Sequence, residues 1–225
     1  GDTTVLIVHR SSDNSLALLK SDTGELVWQT PLGSILPRWG SEPLTHRGHI
    51  YLVGQEKGKP RIGRMYDFRL SNGRPVGEFL FPQPIAGAPI FDPRRQTLLL
   101  VAEGASLYTV SLTERTCERV VALDHEPGAL LISPFMAGRY YFDVISNGLK
   151  RSVLRCFVVS ADDGSFSFKQ QVELNGWVWQ QPQLRGARMF VTTDSGQISV
   201  FDLGGESDAQ AMTPAASSSE IHEKR

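Results

Sequence analysis

Residues Leu16-Ala17-Leu18-Leu19-Lys20-Ser21-Asp22-Thr23-Gly24-Glu25-Leu26-Val27-Trp28 read as an apolar strand, a polar turn closed by glycine, and a second strand. The turn residues carry the argument: Asp and Thr bond their own backbone, and glycine supplies a positive φ that other residues adopt at a cost. The same unit recurs at Met65-Tyr66-Asp67-Phe68-Arg69-Leu70-Ser71-Asn72-Gly73. A degraded copy follows at Leu107-Tyr108-Thr109-Val110-Ser111-Leu112-Thr113-Glu114-Arg115, with arginine in place of the glycine. A fourth stands at Cys156-Phe157-Val158-Val159-Ser160-Ala161-Asp162-Asp163-Gly164, with Phe168 at the place of Trp28. The fifth, Ile198 to Gly205, shows no strand after it.

The turn positions 24, 73, 115, 164 and 205 are spaced by 49, 42, 49 and 41 residues. A second marker keeps the same period: Pro43, Pro89, Pro134 and Pro182 lie 46, 45 and 48 apart. Each proline precedes a short alternating apolar segment with a central turn. Further tight turns are signalled at Asp13-Asn14, Glu103-Gly104, Asn147-Gly148 and Asp194-Ser195-Gly196. A period of roughly 40–50 residues is that of a four-stranded propeller blade. No stretch carries the apolar periodicity of a three-turn amphipathic helix. The sequence therefore predicts an all-β chain of four-stranded antiparallel blades, four to five in number.

The strand, Asp-Thr-Gly turn and following tryptophan of Leu16 to Trp28 resemble the repeat of PQQ-like β-propellers, and more loosely the WD40-like propellers. The PQQ-like repeat is shared by quinoprotein dehydrogenases and by the outer-membrane assembly lipoprotein of the β-barrel assembly machinery. The resemblance spans roughly residues 5 to 205. It implies that the turn glycines Gly24, Gly73 and Gly164 join outer strands and that Trp28 docks between neighbouring blades. Phe168 matches that docking position in the fourth copy, whereas Gly77 stands there in the second. Such departures place the chain nearer the non-enzymatic lipoprotein type than the dehydrogenases.

The blade plan divides the chain into a partial blade at 1–34, blades at 35–83, 84–126 and 127–175, and a partial blade at 176–205. Three complete blades between two partial ones leave either a distorted closure or a segment of a larger ring, and the segment is the favoured expectation. Residues 206–225, with Ala215-Ala216-Ser217-Ser218-Ser219, read as a polar disordered tail or linker.

Composition narrows the function classes. The 225 residues include 23 Lys+Arg and 24 Asp+Glu, a net charge of -1, which speaks against a nucleic-acid binder. The longest apolar run, Leu98 to Ala102, is strand-sized, so no membrane-spanning helix is expected. Residues Gly1-Asp2-Thr3-Thr4 do not read as a signal peptide, so the expectation is that any such signal was removed or lay outside this stretch. Cys117 and Cys156 fall in strands of adjacent blades and read as free thiols, although spacing alone leaves a pairing open.

Several motifs resemble catalytic or metal sites and are better explained by the repeat. Asp22-Thr23-Gly24 and Asp194-Ser195-Gly196 look like aspartic-protease triplets, but that chemistry needs two carboxylates sharing a proton. The repeat instead puts them at opposite ends of their blades. His46-Arg47-Gly48-His49 aligns with the turn Arg185-Gly186-Ala187-Arg188, and Asp162-Asp163 lacks the alternating ligands of a calcium loop. No catalytic residue and no metal ligand is assigned.

The residues before the marker prolines are the binding candidates. Arg38 and Trp39 precede Pro43, while Trp177, Trp179, Gln180 and Gln181 precede Pro182. In a propeller these positions enter the innermost strand, beside the axial funnel. Aromatic rings next to Arg and Gln there suit stacking and hydrogen bonding to a ligand. The competing reading wedges the tryptophans between blades. The functional expectation is a non-catalytic interaction or scaffold module binding a protein or polymer partner, without a cofactor. The alternatives are a segment of a quinoprotein dehydrogenase holding PQQ and calcium, and the sensor region of a larger signalling protein. By the resemblance alone, the setting is a bacterial periplasm or cell surface.

Overall fold

The computed structural model describes residues 5–37, 42–130, 132–148 and 150–203 and the strand at 213–217, with backbone alone at 60, 61 and 213–217. Among the described residues every helix or strand element is a β-strand. The chain forms two compact units, Gly1–Ala122 and Leu123–Arg225.

The first unit holds three sheets. Strands β1 (Val5–Arg10), β2 (Ser15–Lys20) and β3 (Leu26–Pro31) form the first. In the second, β4 (Ile35–Pro37) and β5 (Leu44–His46) both pair with β6 (His49–Glu56), followed by β7 (Lys59–Arg69) and β8 (Pro75–Phe81). The third runs β9 (Ile90–Asp92), β10 (Thr97–Val101), β11 (Ser106–Ser111) and β12 (Thr116–Ala122). The second unit holds a fourth sheet of β13 (Phe135–Ala137), β14 (Tyr140–Ser146), β15 (Arg151–Val159) and β16 (Phe166–Asn175). Its fifth sheet is β17 (Gln183–Arg185), β18 (Arg188–Thr192), β19 (Ile198–Asp202) and β20 (Thr213–Ser217). Apart from β4 and β5, which share β6, consecutive strands pair antiparallel within each sheet, as up-and-down meanders do.

Strand β20 corrects one expectation. The stretch 206–225 reads as a linker because it is polar, small and free of aromatics, yet Thr213–Ser217 pairs with β19 as the outer strand of the fifth sheet. An outermost strand needs only its backbone to join the ladder, so apolar alternation is not required of it.

The repeated turn has one geometry. Gly24, Gly73 and Gly164 have φ of 70°, 67° and 69°, and Arg115 adopts 54° at the equivalent place. Each glycine N–H returns to the strand before it, Gly24 to Lys20 O and Gly73 to Arg69 O at 2.8 Å, Gly164 to Ser160 O at 3.1 Å. A register shift follows in every sheet, between Leu18/Leu19, Asp67/Phe68, Thr109/Val110, Cys156/Phe157 and Val200/Phe201. These bulges bend the strand and increase the local twist of each sheet.

The core lies between consecutive sheets rather than within any one. Leu16 packs with Ile50, Leu52, Tyr66 and Phe68 between the first and second. Met65, Tyr51 and Val53 meet Leu98, Leu100 and Tyr108 between the second and third. In the second unit Phe142, Val144 and Leu154 meet Met189, Val191 and Phe201.

Two polar interlocks join neighbouring sheets of the first unit. Trp28 on β3 donates its Nε1–H to Leu70 O at 2.8 Å, and Thr30 Oγ donates to Gly73 O at 2.9 Å. A Cβ on Gly73 would lie inside the Trp28 ring and the Thr30 hydroxyl, so glycine here serves contact as well as φ. The next interface inverts the arrangement. Gly77 occupies the tryptophan position on β8, and the Arg115 guanidinium from the following turn fills the space beside it. Arg115 Nη1 lies 2.7 Å from Asp67 Oδ2, and its guanidinium sits 4.9 Å above the Phe79 ring. Asp67 is fully buried and also holds His49 Nδ1 at 2.7 Å. The two departures from the repeat, Arg115 and Gly77, therefore explain each other.

Arg115→Ala is expected to lower the stability of the first unit by about 2 kcal/mol, because it strips a buried carboxylate of one charged partner. Arg115→Gly restores the repeat's residue and relieves the left-handed backbone, so it should recover only part of that loss. Urea unfolding of both variants measures this; an alanine variant as stable as wild type would show that the bridge contributes nothing.

Candidate functional site

The binding candidates divide by location. Arg38 and Trp39 lie outside the described residues. Trp177, Trp179, Gln180 and Gln181 stand together on the connection from β16 to β17. Isolated bridges pair Ile85 with Ala102, just past β10, and Leu130 with Ile145 on β14; Ile85 and Leu130 lie five residues before β9 and β13. Val178 holds the same position before β17 and is 1% exposed in the core with Leu174, Met189 and Phe201. Its neighbours are turned outward, Trp177 at 43% and Trp179 at 64% exposure. The interblade wedge is therefore the valine, and neither tryptophan supplies it.

This connection is held firmly at its root. Asp194 Oδ1 accepts the Trp177 N–H at 2.7 Å, and the Asp194 N–H donates to Trp177 O at 3.0 Å. Ser195 Oγ donates to Asn175 O at 2.7 Å, while Ser152 Oγ donates to Gly176 O at 2.9 Å and accepts the Val178 N–H at 3.1 Å. Gly176 allows the approach, since a Cβ there would meet Asp194 and Ser195. The Asp194-Ser195-Gly196 triplet thus anchors the loop. Sequence reading missed this role, although the triplet's place in the repeat was its signal.

Beyond the anchor lies a groove of about 340 Å³ on one face of the fifth sheet, walled by Gln180, Gln181, Gln183 and Arg185. Phe190, Thr192 and Ile198 complete it. A second concavity of about 450 Å³ is lined by Asp124, His125, Glu126, Ala129, Ile145 and Ser146. There His125 Nδ1–H is committed to Glu126 O at 2.9 Å.

The strongest acid–base constellations are spoken for. Asp143 on β14 faces Arg155 on β15 in a bidentate bridge at 2.8 and 2.6 Å, with Arg155 Nη1 also donating to Leu123 O at 2.6 Å. Burial pushes the Asp143 carboxyl above its ordinary range, opposed by the Arg155 hydrogen bonds and charge. Asp92 is bridged by Arg94 at 3.0 Å. His46 turns to Gln96 at 3.1 Å while His49 turns to Asp67, so the two histidines of the turn serve different partners.

Among the described residues no group of three His, Cys, Asp or Glu side chains is placed to hold a metal. Both cysteines are free thiols: Cys117 is exposed, whereas burial pushes the Cys156 thiol up to about 12. No described helix is long and apolar enough to cross a membrane.

No protein-family model matches the sequence, and no curated protein matches it. Solved structures do. BamB from Moraxella catarrhalis aligns with TM-score 0.60 at 14% identity, over 95% of this chain and 57% of that one. The chain has the fold of propeller blades. The WD40 domain of Toxoplasma gondii coronin aligns with TM-score 0.64 at 8% identity, over 95% of this chain and 55% of that one. The computationally designed Ika8 protein gives 0.59 at 9% identity, over 89% and 56%. The chain therefore spans somewhat more than half the length of each structure, and at these identities the likeness concerns the fold alone.

Proposed function

We propose that the chain is a non-catalytic propeller module that binds a protein or polymer partner through the loop and inner-strand residues of its blades. The observation carrying this reading is a contrast in commitment. Asp67, Asp92, Asp143 and Arg155 are tied into salt bridges within the chain. The side chains of Gln180, Gln181, Gln183 and Arg185 line a groove, and among the described residues none forms a hydrogen bond or ion pair within the chain. Exposed polar groups beside exposed tryptophans, on an anchored loop, are suited to recognition and lack the paired acid and base that catalysis needs. Propellers supply such sites readily, because rigid strands hold loops whose residues are free to vary.

Within the propellers, the docking of Trp28 on the Gly73 turn supports a PQQ-like lineage, and the resemblance of that repeat supports a periplasmic or cell-surface setting in a bacterium. The enzymatic alternative makes a sharp contrary prediction. Titration of the protein with pyrroloquinoline quinone and calcium is expected to give no saturable change in quinone absorbance. Saturable uptake together with reduction of an electron-accepting dye would overturn the non-catalytic reading.

A further inference from the structure

We propose that the fold singles out Asn147 as a site of spontaneous deamidation, at the exposed Asn147-Gly148 turn of the fourth sheet. The reaction needs no enzyme. The Gly148 amide nitrogen attacks Asn147 Cγ and a carbon–nitrogen bond forms. The Cγ–Nδ2 bond breaks, and ammonia leaves with the proton given up by the Gly148 N–H. Water then opens the cyclic imide at either carbonyl, giving aspartate or, with the main chain rerouted through the side chain, isoaspartate. Glycine favours ring closure because it brings no Cβ to crowd the attacking nitrogen.

The chain has four asparagines, and three of them precede glycine: Asn72, Asn147 and Asn175. In that respect the three are equivalent, so the fold decides between them. Asn72 lies in the repeated turn. Its Oδ1 accepts the Arg74 N–H at 3.1 Å, and the Gly73 N–H that would attack is given to Arg69 O at 2.8 Å. Gly73 is buried against Trp28 and Thr30, which leaves little room beside the attacking nitrogen. Asn175 ends β16, paired with Arg151, and the buried Gly176 gives its N–H to Lys150 O at 2.8 Å. Asp194 and Ser195 crowd Gly176 where a Cβ would stand. Asn14, which precedes Ser15, commits its Nδ2 to Gly33 O and Ile35 O at 3.0 and 2.8 Å.

Asn147 differs on each count. Asn147 and Gly148 are both exposed. Among the described residues the Gly148 N–H meets no acceptor, and the Asn147 side chain is in no hydrogen bond. Gly148, at a φ of 73°, has open space where a Cβ would stand. The turn is tied only through other groups: the Asn147 N–H donates to Arg151 O at 3.0 Å, and Lys150 O receives the Gly176 N–H. The product changes this end of the sheet in two ways. A carboxylate arises next to Ser146, beside the concavity that Asp124 and Glu126 already line. Isoaspartate also lengthens the main chain of a turn whose Lys150 carbonyl holds Gly176, the residue before Trp177.

The test is peptide mapping by mass spectrometry of the whole chain held in mildly alkaline buffer. Cleavage at lysine and arginine puts the three Asn-Gly sites on separate peptides. Asn147 is expected to gain the mass of deamidation about tenfold faster than Asn72 or Asn175, because each of those must first open a hydrogen bond worth about that factor. A parallel sample in concentrated urea isolates the contribution of the fold. There the three rates should converge, since the protecting bonds and the crowding are gone. Conversion of Asn72 or Asn175 in the folded chain as fast as that of Asn147 would overturn the proposal. So would a folded chain in which Asn147 stays intact while the urea sample reacts. A lead for Asn147 that persists undiminished in urea overturns it as well, because the cause would then lie in neighbouring residues along the chain and the fold would have no part in it.

Discussion

Arg155→Ala is expected to destabilise the second unit by about 3–5 kcal/mol, the cost of leaving a buried carboxylate without its cation. Asp143 is fully buried and Arg155 nearly so, and the pair is bidentate across directly opposed residues of β14 and β15. The loss exceeds that of a surface bridge because Arg155 also satisfies Leu123 O, so one truncation orphans two acceptors. Replacing both charges at once, as Asp143→Leu with Arg155→Met, should recover most of the stability, since the buried pair's attraction largely offsets its own desolvation. Urea unfolding followed by far-ultraviolet circular dichroism measures the loss. A single variant within about 0.5 kcal/mol of wild type would remove the bridge from the account of this unit, that being the range of ordinary surface substitutions.

The same variant carries a pH signature. Burial already raises Asp143 in the folded state, and Arg155 is the opposing influence. Without Arg155 the folded carboxyl rises further above its unfolded value. A group raised in this way binds protons more readily folded than unfolded, so stability increases as pH falls through the folded pKa. The deficit of Arg155→Ala relative to wild type should therefore shrink as the pH is lowered from neutral toward the ordinary carboxylate range. A deficit that is constant or grows on acidification contradicts the assignment.

Trp28→Ala is expected to cost the first unit about 3 kcal/mol, the low end for removing a large aromatic from a partly buried site. The indole spans two sheets, donating to Leu70 O and covering Gly73, so its loss opens the interface and strands a carbonyl. Gly73→Ala attacks the same contact from the other side. Its Cβ would overlap the indole and the Thr30 hydroxyl, and the φ of 67° strains any L-residue. The two substitutions should be markedly non-additive, because once the indole is gone the alanine methyl meets only Thr30. Urea unfolding followed by far-ultraviolet circular dichroism for the two single variants and the double variant tests this. Additive losses would show that Trp28 and Gly73 do not share an interface.

The legible features were those repeated along the chain. The spacing of Gly24, Gly73 and Gly164 points to one turn used in successive blades, and the structure gives all three the same φ and the same return hydrogen bond. Local chemistry suffices for this, since a left-handed turn selects glycine wherever it occurs. Arg115 obscured the third copy because its fitness depends on Gly77 and Asp67, which lie 38 and 48 residues away along the chain. Neither residue announces its partner, because an arginine in a turn reads as solvated until the neighbouring sheet is in place. The same limit applied to the candidate groove. Trp177-Val178-Trp179 alternates, and alternation tells that the valine and the tryptophans face opposite ways, but not which way is inward. Residues Gln183, Arg185 and Thr192 escaped notice because their sharing a face depends on strand register.

From its amino acids alone the chain is an all-β series of blades, since period, turn chemistry and alternation are local and repeat. Stacking of sheets settled everything that depends on which residues meet across an interface: Trp28 over Gly73, Arg115 beside Gly77, Asp143 with Arg155, and Val178 inward of two exposed tryptophans. Such contacts join residues tens of positions apart. Their energy comes from burial and from pairing of polar groups cut off from water, and that environment exists only once the sheets are stacked.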